Sequence, residues 1–191
     1  MIQWTELLSV WHLIRASGLI AYLILSFSAL SGIACTISWI PPHLRTLMLH
    51  LHESCSRWSL WLVMVHASLL LIDTYVPYRF VEVIFPLLGP YRPWAVALGS
   101  LAAWLMLITL LAFDSAWFVG QKIWQAIHGA NVVIYVAATL HGIWSGTDMP
   151  GQPWAMMYIG SALCIGTLVL LRQLIPYPNP NQPDRKLKGA N

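Results

Sequence analysis

The stretch HESCSRWSLWLVMVH, residues 52–66, carries a histidine at either end of a run rich in apolar residues. A second stretch, HGANVVIYVAATLH at residues 128–141, does the same. Placing an ionisable side chain in hydrocarbon costs several kcal/mol unless something binds it. Four such histidines therefore mark a site, and the rest of the sequence reads as the frame that holds them.

The frame belongs in a membrane. Of 191 residues, 58% are hydrophobic and only 9% are charged, against about 25% charged in an ordinary soluble domain. The length suits one domain. The formal net charge of +3 is small and spread out, so no clustered basic face for nucleic acid is expected. Cys35, Cys55 and Cys164 are isolated and odd in number, which excludes a full disulfide framework and leaves no zinc or iron–sulfur spacing. They read as small packing residues. The first apolar run is too long for a leader h-region and has no basic segment before it, so it is expected to stay as a membrane helix.

Taken in order, residues 1–10 are a lead-in and the first span runs from about Trp11 to Trp39. No Asp, Glu, Lys or Arg occurs from Ala16 through Leu44, well beyond the roughly 20 residues that cross a bilayer. Gly18, Ala21, Ser28 and Gly32 offer small residues for close helix contact. Pro41 and Pro42 stop this span, and Pro42 suits the first turn of the next. The second span starts near His43, has its apolar core at Trp58–Ile72, and ends by Asp73 and Pro77. Residues 74–93, with four prolines, form an interfacial loop with one amphipathic turn around Phe80–Phe85. The third span is Trp94–Phe113, Asp114–Gly120 is a tight loop, and the fourth span is about Gln121–Ser145. Residues 146–153 turn the chain, with Asp148 capping that turn or serving as a docking charge. The fifth span is Trp154–Leu171, closed by Arg172. The expectation is an all-α integral membrane bundle of about five spans over residues 1–175, followed by a disordered tail at 176–191. No internal repeat and no G-x-G-x-x-G occurs, so electrons or substrates from a nicotinamide must come by way of another molecule.

Lys and Arg set the orientation. With five spans, one side collects Arg45, Arg57, Lys122, Arg172, Arg185, Lys186 and Lys188, and the other Arg15, Arg79 and Arg92. The tail is therefore expected in the cytoplasm and the amino terminus outside. Trp4, Trp11, Trp39, Trp94, Trp117, Trp144 and Trp154 fall near the expected interfaces, as aromatic belts do.

His52 and His66 are 14 residues apart. At about 100° and 1.5 Å per residue they project from nearly one face of a helix, about 21 Å apart along its axis. His50 falls roughly 160° away from His66 and keeps an interfacial reading, as do His12 and His43. His128 and His141 are 13 residues apart, which leaves them about 140° out of register on a straight helix. A tilt, a bulge or different rotamers must help there. Spans two and four run parallel, so His52 lies level with His128 and His66 with His141. Two facing imidazole pairs at two depths match bis-histidine ligation of two heme irons, with neutral imidazole as the ligand. Ala67, Ser68, Gly129, Ala130 and Gly142 leave room for a flat ring. Arg15 is the other costly residue. It either pairs with a propionate of the outer heme or snorkels to the nearby interface.

These motifs resemble the ferric reductase-like transmembrane domain family. That family includes the membrane parts of ferric reductases and NADPH oxidases, and the stand-alone heme-binding membrane subunit of the bacterial periplasmic methionine sulfoxide reductase system. The resemblance covers about Leu13 to Leu171. It is carried by RASGLIAYLILS at 15–26, by LH at 51–52 with the next histidine at 66, and by IDTYV at 72–76. It continues through PYRPWAVALG at 90–99, W-x-x-I-H at 124–128 and LHGIWSGTD at 140–148. It implies that His52 and His128 hold a cytoplasmic-side heme b, that His66 and His141 hold an outer one, and that Arg15 matches the family's early arginine. Glu53 stands where the family usually has a basic residue, which reverses the charge beside the inner site.

The function expected is transmembrane electron transfer by two b-type hemes in a bacterial inner membrane. Electrons would pass from a cytoplasmic donor protein or a membrane quinol to an acceptor outside. The alternative is a non-catalytic anchor subunit of a larger complex, docking through residues 74–93 and the tail.

Overall fold

A computed structural model describes residues 9–146 and 153–174 as helices joined by short turns, with no strand among them. The helices are α1 (Val10–Ala34), α2 (Pro42–Leu69), α3 (Phe80–Ile84), α4 (Pro93–Asp114), α5 (Ala116–Val119), α6 (Gln121–Gly129), α7 (Asn131–Ser145) and α8 (Pro153–Leu174). The fold is an all-α bundle. Trp4, Asp148 and the tail at 176–191 lie outside the described residues.

Four stretches are long and apolar enough to cross a membrane: Val10–Ala34, Pro93–Asp114, Gln121–Ser145 and Trp154–Leu174. Helix α2 has the length, at 28 residues, or about 42 Å. Its first sixteen residues carry Arg45, Glu53, Arg57 and three histidines, and that lowers its apolarity below theirs.

Side chains are distributed as in a bilayer rather than in water. Large apolar residues such as Trp58, Trp61, Met64, Leu163 and Leu170 point outward. The interior is built from small ones, including Ala21, Ala95, Ala102, Ala112, Ala137, Ser28, Ser31 and Ser59. Small residues let helix backbones approach, which drives packing where lipid removes the hydrophobic gain. Helix α1 lies along α2 more extensively than any other pair of elements, and α4 along α7 next. Polar side chains bridge the α1–α2 seam. Ser59 Oγ donates to Ala21 O at 3.1 Å, and the Ser28 hydroxyl is 2.7 Å from that of Ser56. Between α1, α7 and α8, the Tyr22 hydroxyl meets Tyr135, Thr139 and Ser161 at 2.9, 3.1 and 2.8 Å. That network satisfies hydroxyls that would otherwise be stranded in an apolar medium.

Ala102 and Met106 of α4 pack on Ile134 and Ala137 of α7, joined by Leu25 of α1 and by Leu60 and Val63 of α2. These residues form an apolar layer at mid-bundle.

Several boundaries differ from the sequence reading, each for a local reason. Helix α1 stops at Ala34, short of Trp39, because Thr36 and Ile37 turn their N–H groups to Ile33 and Ala34, three residues back. The expected tight loop at 114–120 contains the single helical turn α5. The fourth span is broken: Ala130 (φ −67°, ψ −9°) bonds back to Ile127 and separates α6 from α7. The amphipathic turn near residue 80 is α3, closed by Glu82 accepting the Arg79 N–H at 2.8 Å.

Candidate functional site

The four histidines of the two stretches form two facing pairs, one on each side of the apolar layer. His52 faces His128 with ring centres 6.0 Å apart and ring planes 86° to each other. His66 faces His141 at 6.2 Å and 80°. The helices that carry them do not lie along each other, since α2 packs on α1 and α7 on α4. A metal–nitrogen bond of about 2.0 Å on either side, with about 1.1 Å from each nitrogen to its ring centre, sets two axial imidazoles about 6.2 Å apart. Both observed gaps match that figure. Among the described residues no group of three or more His, Cys, Asp or Glu side chains converges on one point, so no tetrahedral site of zinc type is built there. What each level holds is a pair of facing imidazoles.

Three of the four rings sit in the same socket. His66 Nδ1 donates to Ile14 O at 2.9 Å, His52 Nδ1 to Ser28 O at 2.9 Å, and His141 Nδ1 to Ala95 O at 2.8 Å. A carbonyl only accepts, so each of these Nδ1 atoms carries the proton and each Nε2 is left with a bare lone pair, the state a metal needs. Four residues beyond each carbonyl stands a glycine against the same ring. A Cβ at Gly18 would come 3.0 Å from His66 Cε1, and one at Gly32 or Gly99 would come 2.7 Å from Nδ1 of His52 or His141. A serine hydroxyl lies beside each Nδ1 as well: Ser17 at 3.5 Å, Ser28 at 3.0 Å and Ser145 at 3.2 Å.

His128 is held differently. Its Nδ1 is 3.1 Å from the side-chain amide of Asn131, three residues on, and its ring stacks on Trp124 at 5.2 Å and 23°. The interruption at Ala130 falls inside the 13-residue interval between His128 and His141, the interval that a straight helix leaves out of register.

Arg15 is half-buried and follows Ile14, the acceptor for His66, so it stands at the level of the His66–His141 pair. His12, His43 and His50 are exposed and belong to neither pair. At the other level, Arg57 makes a two-pronged ion pair with Asp114, at 2.7 and 3.2 Å, one turn beyond Glu53. Arg92 donates to the last carbonyls of α7, Trp144 O at 2.6 Å and Gly146 O at 3.2 Å. This cap steadies the helix end from which His141 projects.

The sequence reading gave no role to Ala95, Gly99 or Asn131, quoted Trp124 only as part of the W-x-x-I-H motif, and gave Ser28 only a packing role. A signal for two sockets was present: Gly18 and Gly32 are 14 residues apart, the spacing of His52 and His66.

No family model matches the chain, and no curated protein or solved structure is similar enough to register as a match. The family resemblance therefore rests on the motifs themselves.

Proposed function

We propose that this chain is a di-heme b-type electron-transfer protein of the inner membrane, of the ferric reductase-like transmembrane type. It carries electrons from a cytoplasmic donor protein or membrane quinol to an acceptor outside. One observation carries the reading: two imidazole pairs, each at the spacing of an axial metal site, on opposite sides of an apolar layer. The glycine cradles and acceptor-only partners fit the chemistry of a heme ligand, because they fix the ring and leave Nε2 unprotonated.

Heme supplies a one-electron iron couple at each level. The chain's own residues do the rest. His52 and His128 would hold the inner group, and His66 and His141 the outer. The layer of Ala102, Met106, Ile134 and Ala137 keeps water out between the levels. Arg15 supplies a cation for an outer propionate. The excess of Lys and Arg at the His52 end supports reading that end as cytoplasmic.

The test is a reduced-minus-oxidised spectrum of the protein purified in detergent, with heme counted as pyridine hemochrome. Two b-type hemes per chain, one of them lost in His66→Ala and in His141→Ala, are expected. A colourless protein would sink the reading and leave a membrane anchor subunit.

A further inference from the structure

The four histidines differ in what holds them, and the difference has a chemical consequence. His52, His66 and His141 are each anchored to the backbone of another helix, α1 for the first two and α4 for the third. To leave its position, such a ring must break a bond across a helix seam and move off a glycine. The anchor of His128 is local. Asn131 lies just across the Ala130 break, and Trp124 lies one turn back in the same nine-residue helix. Gly129 beside it is exposed, with nothing within 4 Å of its Cβ position.

The anchor also differs in kind. A backbone carbonyl can only accept, whereas an asparagine amide presents either an acceptor oxygen or a donor NH2. With Oδ1 toward His128, Nδ1 carries the proton and Nε2 is free to bind a metal. With Nδ2 toward it, Nε2 carries the proton and cannot. In the structure Asn131 turns Nδ2 toward His128 Nδ1 at 3.1 Å, and a flip of the amide is what would bring Oδ1 there instead.

We infer that His128 is the exchangeable ligand of this protein, that Asn131 is the positioning residue that sets the exchange, and that a small neutral ligand such as carbon monoxide enters at the His128 side of the His52–His128 site. The inference rests on the di-heme reading above. With heme bound, the exchange would be a plain substitution: the bond from His128 Nε2 to iron would break, a bond from iron to the carbon of CO would form, and neutral imidazole would leave. No electron or proton is transferred.

The experiment uses the full chain in detergent, reduced with dithionite and mixed with CO, with hemes counted independently as pyridine hemochrome. In the unmodified protein one of the two hemes should show the CO-shifted Soret band. Asn131→Ala removes the partner and should speed CO entry by about tenfold, the usual scale for losing a partner of a metal ligand. Asn131→Asp puts an acceptor-only group there and should slow CO entry below that of the unmodified protein. A merely structural role for Asn131 would move both variants the same way, and that result overturns the inference. So does a protein with two hemes and no CO band in any of the three forms. A chain that binds no heme overturns the electron-transfer reading, and this inference with it.

Discussion

His66 gives its Nδ1 proton to the carbonyl of Ile14 at 2.9 Å while the edge of its ring lies against Gly18, four residues on. One helix face thus supplies both the acceptor that fixes the tautomer and the gap that admits the ring. The same arrangement recurs at Ser28–Gly32 and Ala95–Gly99.

Adding a methyl group in such a gap should unseat the ligand. At Gly99 the new Cβ would stand 2.7 Å from two atoms of His141, too close for either to stay. Gly99→Ala should therefore lose most of one heme and cost about 1–3 kcal/mol of stability, the usual penalty for overpacking. Gly166 has no neighbour within 4 Å of its Cβ position, so Gly166→Ala is the matched control with full heme. Hemochrome counts and thermal melts in detergent read both.

The crossing of the ring planes has a spectroscopic signature. On the proposed reading, imidazoles at 86° and 80° to each other would present an iron held between them with two ligand planes at nearly right angles. Low-spin ferric iron between crossed planes gives a highly anisotropic electron paramagnetic resonance signal, where parallel planes give a rhombic one. The oxidised protein should show the first kind at both sites. Two rhombic signals would contradict the geometry.

Arg92 adopts a left-handed backbone conformation (φ 40°, ψ 59°) at the start of α4 and caps α7 through Trp144 O and Gly146 O. Arg92→Ala leaves those carbonyls without the guanidinium and should cost about 0.5–1.5 kcal/mol. The end of α7 should fray, so hydrogen exchange ought to rise around residues 140–146 and hardly at all near His128. Arg92→Gly relieves the backbone but not the cap, so it should recover only part of the loss.

The loop before α4 should respond to alkali. Tyr78 is buried and donates to Tyr91 O at 3.1 Å. Burial is the main cause that pushes its phenol above the ordinary value of 10.0. Since the folded value is the higher one, the protonated phenol stabilises the fold fully below the unfolded value, and that contribution disappears as pH rises through the folded one. Thermal stability of the unmodified protein should thus fall above about pH 10 more steeply than that of Tyr78→Phe. Equal slopes would show that the phenol has no part in it.

Much of the bundle could be read from the chain. Uncharged runs fixed α1, α4 and α8 within a few residues, and Pro42 marked the first turn of α2. The His52–His66 stripe followed from spacing, whereas spacing alone would not have picked His128 and His141, which came from the parallel course of the second and fourth spans and from the family resemblance. What escaped depends on contacts between segments far apart in the chain. Ala95 and Gly99 look like ordinary residues of an apolar helix, and their role appears only when α4 lies against α7. The break at Ala130 carries no proline, and its flanking Gly129 is no stronger a signal than Gly142, which α7 accommodates without a break. Asn131, a polar residue within an apolar stretch, was the one local clue to it.

The α1–α2 seam works as a pair of calipers. Gly18 and Gly32 on one leg match His66 and His52 on the other, with 14 residues between the marks on both. Inserting or deleting one residue between the marks on either leg swings one gap about 100° away from its imidazole. Lipid-facing side chains such as Trp61 and Leu23 can vary widely without that effect. On the proposed reading, chain length inside these two intervals is constrained as firmly as the four histidines, and the loops and ends are where it can change freely.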